Sequence, residues 1–215
     1  MSSTQSSSPA DTTTAIVFTD VVNSSKLWNA EPEAMMVALE KLDRYIFGLC
    51  VRNGGTVIKT IGDSSMLTFP DLKTALHIAK TLQQHLTSKP VAIAKHTLQL
   101  RVGISVGAVK RHQMRVGTSD VFHVLPDVFG PPVNLASRAE SSASLPGGIA
   151  VGFLAQDPAA SAYRDLLQKQ TPPFSVCSRL KPAKVSRKRR SGRLLNSTEI
   201  VKGFKKNEVE FFCTQ

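Results

Sequence analysis

The chain has 215 residues, 41% of them hydrophobic, a length that fits one domain with tails and can bury roughly two-thirds of its unfolded surface. Its net charge is +11, yet thirteen Lys and Arg against two acids fall between Arg164 and Lys206 and the remainder is balanced. Basicity is therefore a property of one segment, which argues against a diffuse nucleic-acid-binding surface. No apolar run approaches the ~20 residues needed to span a bilayer, so no integral membrane segment is predicted.

Residues 1–13 are polar and rich in Ser and Thr, with neither the basic start nor the apolar centre of a signal peptide, and read as a disordered lead. The apolar run Ala15-Ile16-Val17-Phe18 is a strand that ends in Thr19-Asp20 and delivers a carboxylate at its end. From Glu31 to Arg52, Met35, Leu39, Leu42, Ile46 and Leu49 recur at helical spacing, and Asn53-Gly54-Gly55 closes the helix. Two β-rich runs, Thr56–Ile61 and Ser65–Phe69, flank Gly62-Asp63 and predict a hairpin with an acid at its tip. A second helix spans Asp71 to about Leu86, with Leu72, Ala75, Leu76, Ala79 and Leu82 on one face, and Leu98–Val109 is a further strand. The order strand, helix, strand, strand, helix, strand predicts an α+β, ferredoxin-like (βαββαβ) fold with a central antiparallel-rich sheet. In that sheet the first strand lies beside the hairpin, so Asp20 and Asp63 converge. Two such carboxylates suit a hard divalent cation that shares its remaining positions with phosphates.

Lys110–Phe122 reads as irregular and basic. After Val124–Phe129, Gly130-Pro131-Pro132 sets the start of a helix running from Val133 to about Ser144, in which Asn134 and Arg138 share a face. Ile149-Ala150-Val151 returns as a strand and completes a core over residues 14–155. Residues 156–198 carry Pro172-Pro173 and Arg187-Lys188-Arg189-Arg190 and read as an inserted surface loop; residues 199–215 hold closing strands. Each singled-out residue also has a bland reading: Asp20 a cap, Asp63 a turn former, Lys59 a solvated strand lysine, Asp127 a turn residue, Arg138 a partner of a neighbouring acid such as Glu140. The cysteines Cys50, Cys177 and Cys213 lack even pairing and metal-ligand spacing, and so read as structural thiols in a reducing compartment.

Three pieces in order, Phe18-Thr19-Asp20 continuing to Ser24-Ser25 and Leu27-Trp28, Lys59-Thr60-Ile61-Gly62-Asp63, and Asp127-Val128-Phe129-Gly130-Pro131-Pro132-Val133-Asn134-Leu135-Ala136-Ser137-Arg138, resemble the class III nucleotidyl cyclase catalytic domain. The Ser-Ser-x-Leu-Trp continuation is similar to the adenylate cyclases of trypanosomatid protists. The resemblance implies conversion of ATP to cyclic AMP and pyrophosphate, with two Mg²⁺ or Mn²⁺ ions per site on Asp20 and Asp63. It further implies that Lys59 and Asp127 read adenine, that Asn134 orients the ribose, that Arg138 contacts phosphate oxygens, and that Lys202 meets the terminal phosphates. Family sites draw on two protomers, so a head-to-tail homodimer is implied. The alternative is a catalytically silent cyclase-like subunit of a flagellar or cytoskeletal assembly. A cytoplasmic location, the flagellum included, is the expectation, and the basic insert could meet an acidic protein or an anionic surface.

Overall fold

The computed structural model describes residues 12–93, 95–117, 121–143, 145–177, 200–201, 204–205 and 208–214. Strand β1 (Thr12–Val21) leads into helices α1 (Ser24–Ala30) and α2 (Pro32–Arg52), then the hairpin β2 (Thr56–Ile61) and β3 (Ser64–Phe69), and helix α3 (Leu72–Ser88). A two-residue pair, β4 (Ala92–Ile93) and β5 (His96–Thr97), precedes the long strand β6 (Leu100–Gly117) and its partner β7 (Phe122–Phe129). Helix α4 (Pro131–Arg138) passes directly into a π-helical turn, Ala139–Ala143. The chain closes through β8 (Ile149–Leu154), α5 (Ala160–Gln168), β9 (Ser175–Val176), the small pair β10 (Ile200–Val201) and β11 (Phe204–Lys205), and β12 (Val209–Cys213). No helix among the described residues is long and apolar enough to cross a membrane.

The main sheet runs β2-β3-β1-β6-β8-β12-β9, with β7 added to β6. All of its pairings are antiparallel except β6 with β8. The predicted ferredoxin-like order is thus present, with β1 between β3 and β6. Both faces of β1 are buried. Ala15 and Val17 join Leu67, Phe69, Val102 and Ile104 under α2 and α3, whereas Ile16 joins Ile58, Met66, Val109, Val128 and Ala136 on the α4 side. Helix α2 supplies Met35, Leu42, Ile46 and Leu49 to the first cluster, as its spacing predicts. Helix α3 starts one residue after Asp71, whose side chain accepts from the Thr74 amide at 2.7 Å and so satisfies one of the donors left open at a helix start. Cys50 is buried, which pushes its thiol up to about 11 and fits a packing role.

The structure differs from the sequence expectation at three places. Residues 110–117 are not irregular: β6 continues to Gly117 and pairs with β7 from Lys110↔Phe129 to Gly117↔Phe122, forming a two-stranded arm. The β6 side chains from Lys110 to Gly117 are all exposed, so no apolar alternation marks this stretch as a strand. The segment read as a surface loop from residue 156 begins with α5 and β9, and Ala160, Leu167 and Phe174 enter the main core. Arg164 also holds Glu210 of β12 through two hydrogen bonds. So few buried positions fall in α5 that its helical period is faint in the sequence. The helix predicted from Val133 starts at Pro131 and loses α-helical geometry after Arg138. The Arg187–Arg190 run, Lys202 and residues 1–11 lie outside the described residues.

The contact that fixes α4 on the sheet is at Gly103 of β6. A Cβ placed there would stand 2.1 Å from the Glu140 amide nitrogen and 2.3 Å from the Ala136 carbonyl oxygen, both backbone atoms that cannot yield by rotation. Only glycine lets the end of α4 and its π turn settle this closely. Gly103→Ala is expected to cost about 1–3 kcal/mol of stability, an overpacking penalty. Urea unfolding followed by circular dichroism measures it, and an unchanged midpoint would contradict the packing described.

Candidate active site

Asp20 is the second-last residue of β1 and stands opposite Arg101 in the β1–β6 ladder. Its two carboxylate oxygens have different partners. The Ser64 hydroxyl donates to Oδ1 at 2.6 Å, and the Arg101 guanidinium donates to Oδ2 through Nη2. Ser64 begins β3 immediately after the hairpin tip, where Gly62 adopts φ 63° and Asp63 completes the turn. The predicted acid at the tip is therefore next to the residue that holds Asp20. Asp63 Oδ2 is buried and has no hydrogen-bond partner among protein atoms.

A third carboxyl enters this neighbourhood from the other side. Glu140, the second residue of the π turn, is 8% exposed and lies with Oε1 3.0 Å from Arg101 Nε. Burial pushes its carboxyl up to about 7; Arg101 opposes the rise, and the negative charges of Asp20 and Asp63 add to it. Glu140 is thus close enough to sense both aspartates. Sequence reasoning named neither Arg101 nor Glu140 as part of this group. One signal was available: Arg101 interrupts the apolar run Leu100, Val102, Ile104 on a strand buried on both faces, where a charge needs a partner.

These residues fit a divalent cation. Asp63 offers a buried, unshared oxygen, and Asp20 is a carboxylate held in orientation by Ser64. Among the described residues there is no group of three or more His, Cys, Asp or Glu able to enclose a metal. An ion of the Mg²⁺ type takes one or two carboxylates and completes its shell with water and substrate phosphates.

Lys59 and Asp127 meet through space. The Lys59 ammonium donates to both Asp127 oxygens at 2.9 and 2.8 Å, joining β2 to β7. The meeting depends on a bulge. Val57 pairs with Leu67, but the next pair is Lys59 with Met66, so Ile58 is the extra residue. Ile58 packs into the α4-side cluster, and its neighbour Lys59 keeps that side as well, which strict alternation would forbid. Burial raises the Asp127 carboxyl. The Lys59 hydrogen bond, a 2.9 Å hydrogen bond from the Val128 amide, and the positive charges of Lys59 and His112 outweigh it and leave the carboxyl below its ordinary range.

Asn134 and Arg138 lie four apart on α4. Asn134 is exposed, while Arg138 Nε is buried without a hydrogen-bond partner. The bland pairing of Arg138 with Glu140 is not what the structure shows, since the ion-pair partner of Glu140 is Arg101. No hydrogen bond or ion pair among the described residues joins the Asp20 group to the Lys59–Asp127 pair or to Arg138. Glu140 of the acidic group follows Arg138 by two residues, in the turn that continues α4.

With this geometry in hand, comparison with known proteins is specific. Residues 7–156 match the family model described as the adenylate and guanylate cyclase catalytic domain. The chain is 32% identical over 157 residues to an adenylate cyclase of Podospora anserina, a match covering 66% of this chain and 7% of that protein. A receptor-type adenylate cyclase of Trypanosoma equiperdum is 38% identical over 68 residues, covering 32% of this chain and 14% of that one. The chain thus spans less than a tenth of the fungal relative and a small part of the trypanosomal one. Among solved structures, the guanylate cyclase domain from Catenaria anguillulae in complex with GTP superposes with a TM-score of 0.64 at 18% identity, covering 95% of this chain and 96% of that one. At that identity the likeness speaks for the fold.

Proposed function

Since the chain belongs to the adenylate and guanylate cyclase catalytic domain family, we propose that it converts ATP to cyclic AMP and pyrophosphate as a homodimer. The observation that carries the choice of ATP is the Lys59–Asp127 pair. Adenine presents an acceptor at N1 and a donor at N6, and an ammonium beside a carboxylate is the complement of that edge; guanine presents the reverse. Asp127 stays ionised because its carboxyl is held low, so it remains an acceptor at neutral pH.

In the reaction the ribose 3′-oxygen forms a bond to the α-phosphorus, the bond from that phosphorus to the bridging oxygen breaks, pyrophosphate leaves, and the 3′ proton passes to solvent. Asp20 and Asp63 would hold two Mg²⁺ or Mn²⁺ ions, which when bound would neutralise phosphate charge and favour the ionised 3′-hydroxyl. Asn134, exposed at the start of α4, orients the ribose. Arg138 turns its fork toward phosphate oxygens, and a buried guanidinium N–H without a protein partner is a donor in need of an acceptor. Lys202 takes the terminal phosphates on the strength of family resemblance alone.

Family resemblance supports a site shared between two copies, acidic group from one and Lys–Asp pair with α4 from the other. The β6–β7 arm supports the same reading, because Met114, Val116, Phe122, Val124 and Leu125 are large apolar side chains exposed on it. A covering copy would remove them from water.

Three outcomes follow. Purified protein with ATP and Mn²⁺ yields cyclic AMP by chromatography, and Asp63→Ala lowers the rate by at least about 100-fold; absence of product from a verified dimer favours the silent-subunit alternative. Lys59→Glu combined with Asp127→Cys lowers the ratio of ATP to GTP turnover; an unaltered ratio removes this account of base choice. Mixing Asp63→Ala chains with Arg138→Ala chains restores up to about a quarter of wild-type activity, because half of the dimers are mixed and each mixed dimer has one intact site. No restoration would mean that each chain works alone.

A further inference from the structure

Arg101 stands between two carboxylates, and its bonds to them are unequal. Toward Asp20 it makes a direct hydrogen bond through Nη2. Toward Glu140 it has only proximity: Nε is 3.0 Å from Oε1, yet both atoms are buried and neither has an aligned hydrogen-bond partner. Buried groups left in this state are costly, and here the two cures are each other. A small rotation of the guanidinium would align Nε with Oε1 and draw Nη2 away from Asp20. Three features make that exchange selective. Ser64 keeps its hold on Asp20 Oδ1, so the carboxylate stays oriented when the arginine leaves. The Glu140 backbone rests against Gly103 and cannot follow the movement. A guanidinium presents several donors in one rigid fork, so it can pass between two carboxylates without becoming unpaired.

We infer that Arg101 is an exchangeable counter-ion: it covers Asp20 Oδ2 until a divalent cation takes that oxygen, and Glu140 is the positioning residue that receives the displaced guanidinium. Without that receiver, cation and guanidinium would contend for one carboxylate at close range, and like charges in a partly buried site repel strongly. The inference rests on the reading of Asp20 and Asp63 as cation ligands.

The test is Mn²⁺ binding to the full chain without nucleotide, read from the electron paramagnetic resonance signal of free Mn²⁺. It compares wild type, Glu140→Gln, Arg101→Gln, the double variant and Asp63→Asn. Glu140→Gln is expected to weaken Mn²⁺ binding about five- to tenfold with Arg101 present and by less than about twofold with Arg101 replaced, a coupling of ordinary size for linked sites. Arg101→Gln alone is expected to tighten binding. The inference is overturned if Glu140→Gln costs the same factor in both backgrounds, which would be a plain charge effect, or if Arg101→Gln weakens binding or leaves it unchanged. Should Glu140→Gln fail to fold, Glu140→Asp, which shortens the reach toward Arg101, takes its place in the same cycle with the same two outcomes. Asp63→Asn separates the two levels: if it abolishes binding while the Arg101–Glu140 cycle is flat, only the exchange is wrong. If it changes nothing, the cation reading of Asp20 and Asp63 is wrong too.

Discussion

The register of β1 between its two neighbours places the acidic group. Thr19 opposite Ser65 brings Asp20 to Ser64 and the hairpin tip, and Asp20 opposite Arg101 brings it to β6. A slip of one residue against either strand would turn Asp20 to the face covered by α2 and α3. The slip is prevented by burial on both sides, since Ala15 and Val17 are needed under α2 and α3 while Ile16 is needed against Ala136 and Val128. Hydrophobic packing thus fixes the position of a charge, and the charge in turn accounts for an arginine in an otherwise apolar strand.

The same sheet face carries a second line of constraint. Gly103 admits the end of α4, and the π turn that follows carries Glu140 to Arg101. Three carboxyls and one guanidinium then share a partly buried space, and burial raises the carboxyl of Glu140 to about 7. Desolvation dominates there over the attraction of Arg101. Asp127 sits nearer to solvent, and there the balance goes the other way, toward the ionised carboxylate.

Much of this was legible in the sequence because the elements that build the core are strongly patterned. The α2 and α3 stripes, the hairpin around Gly62-Asp63 and the apolar strands gave the ferredoxin-like order directly, and that order predicts Asp20 next to the hairpin. What escaped had weak local marks. The outer half of β6 is exposed on both faces, so its strand character lies in backbone pairing alone. Helix α5 buries little beyond Ala160 and Leu167. The Ile58 bulge adds one residue to a strand whose composition does not register it. Arg101 and Glu140 are thirty-nine positions apart, and only the approach of a π turn to a glycine makes them neighbours.

The arm formed by β6 and β7 has a mechanical side. The inner half of β6 is clamped in the sheet by β1 and β8, while its outer half pairs with β7. Asp127 is carried on β7, the strand that returns from the free end, and is tied to the body by the bonds from Lys59 and by its neighbour Val128, which is buried beside Ile16 and Ala136. A load applied where Met114 and Leu125 lie would bend the ribbon about its root near Val109 and carry Asp127 with it. Solvent-facing apolar side chains and a buried strand register are in this way two ends of one beam.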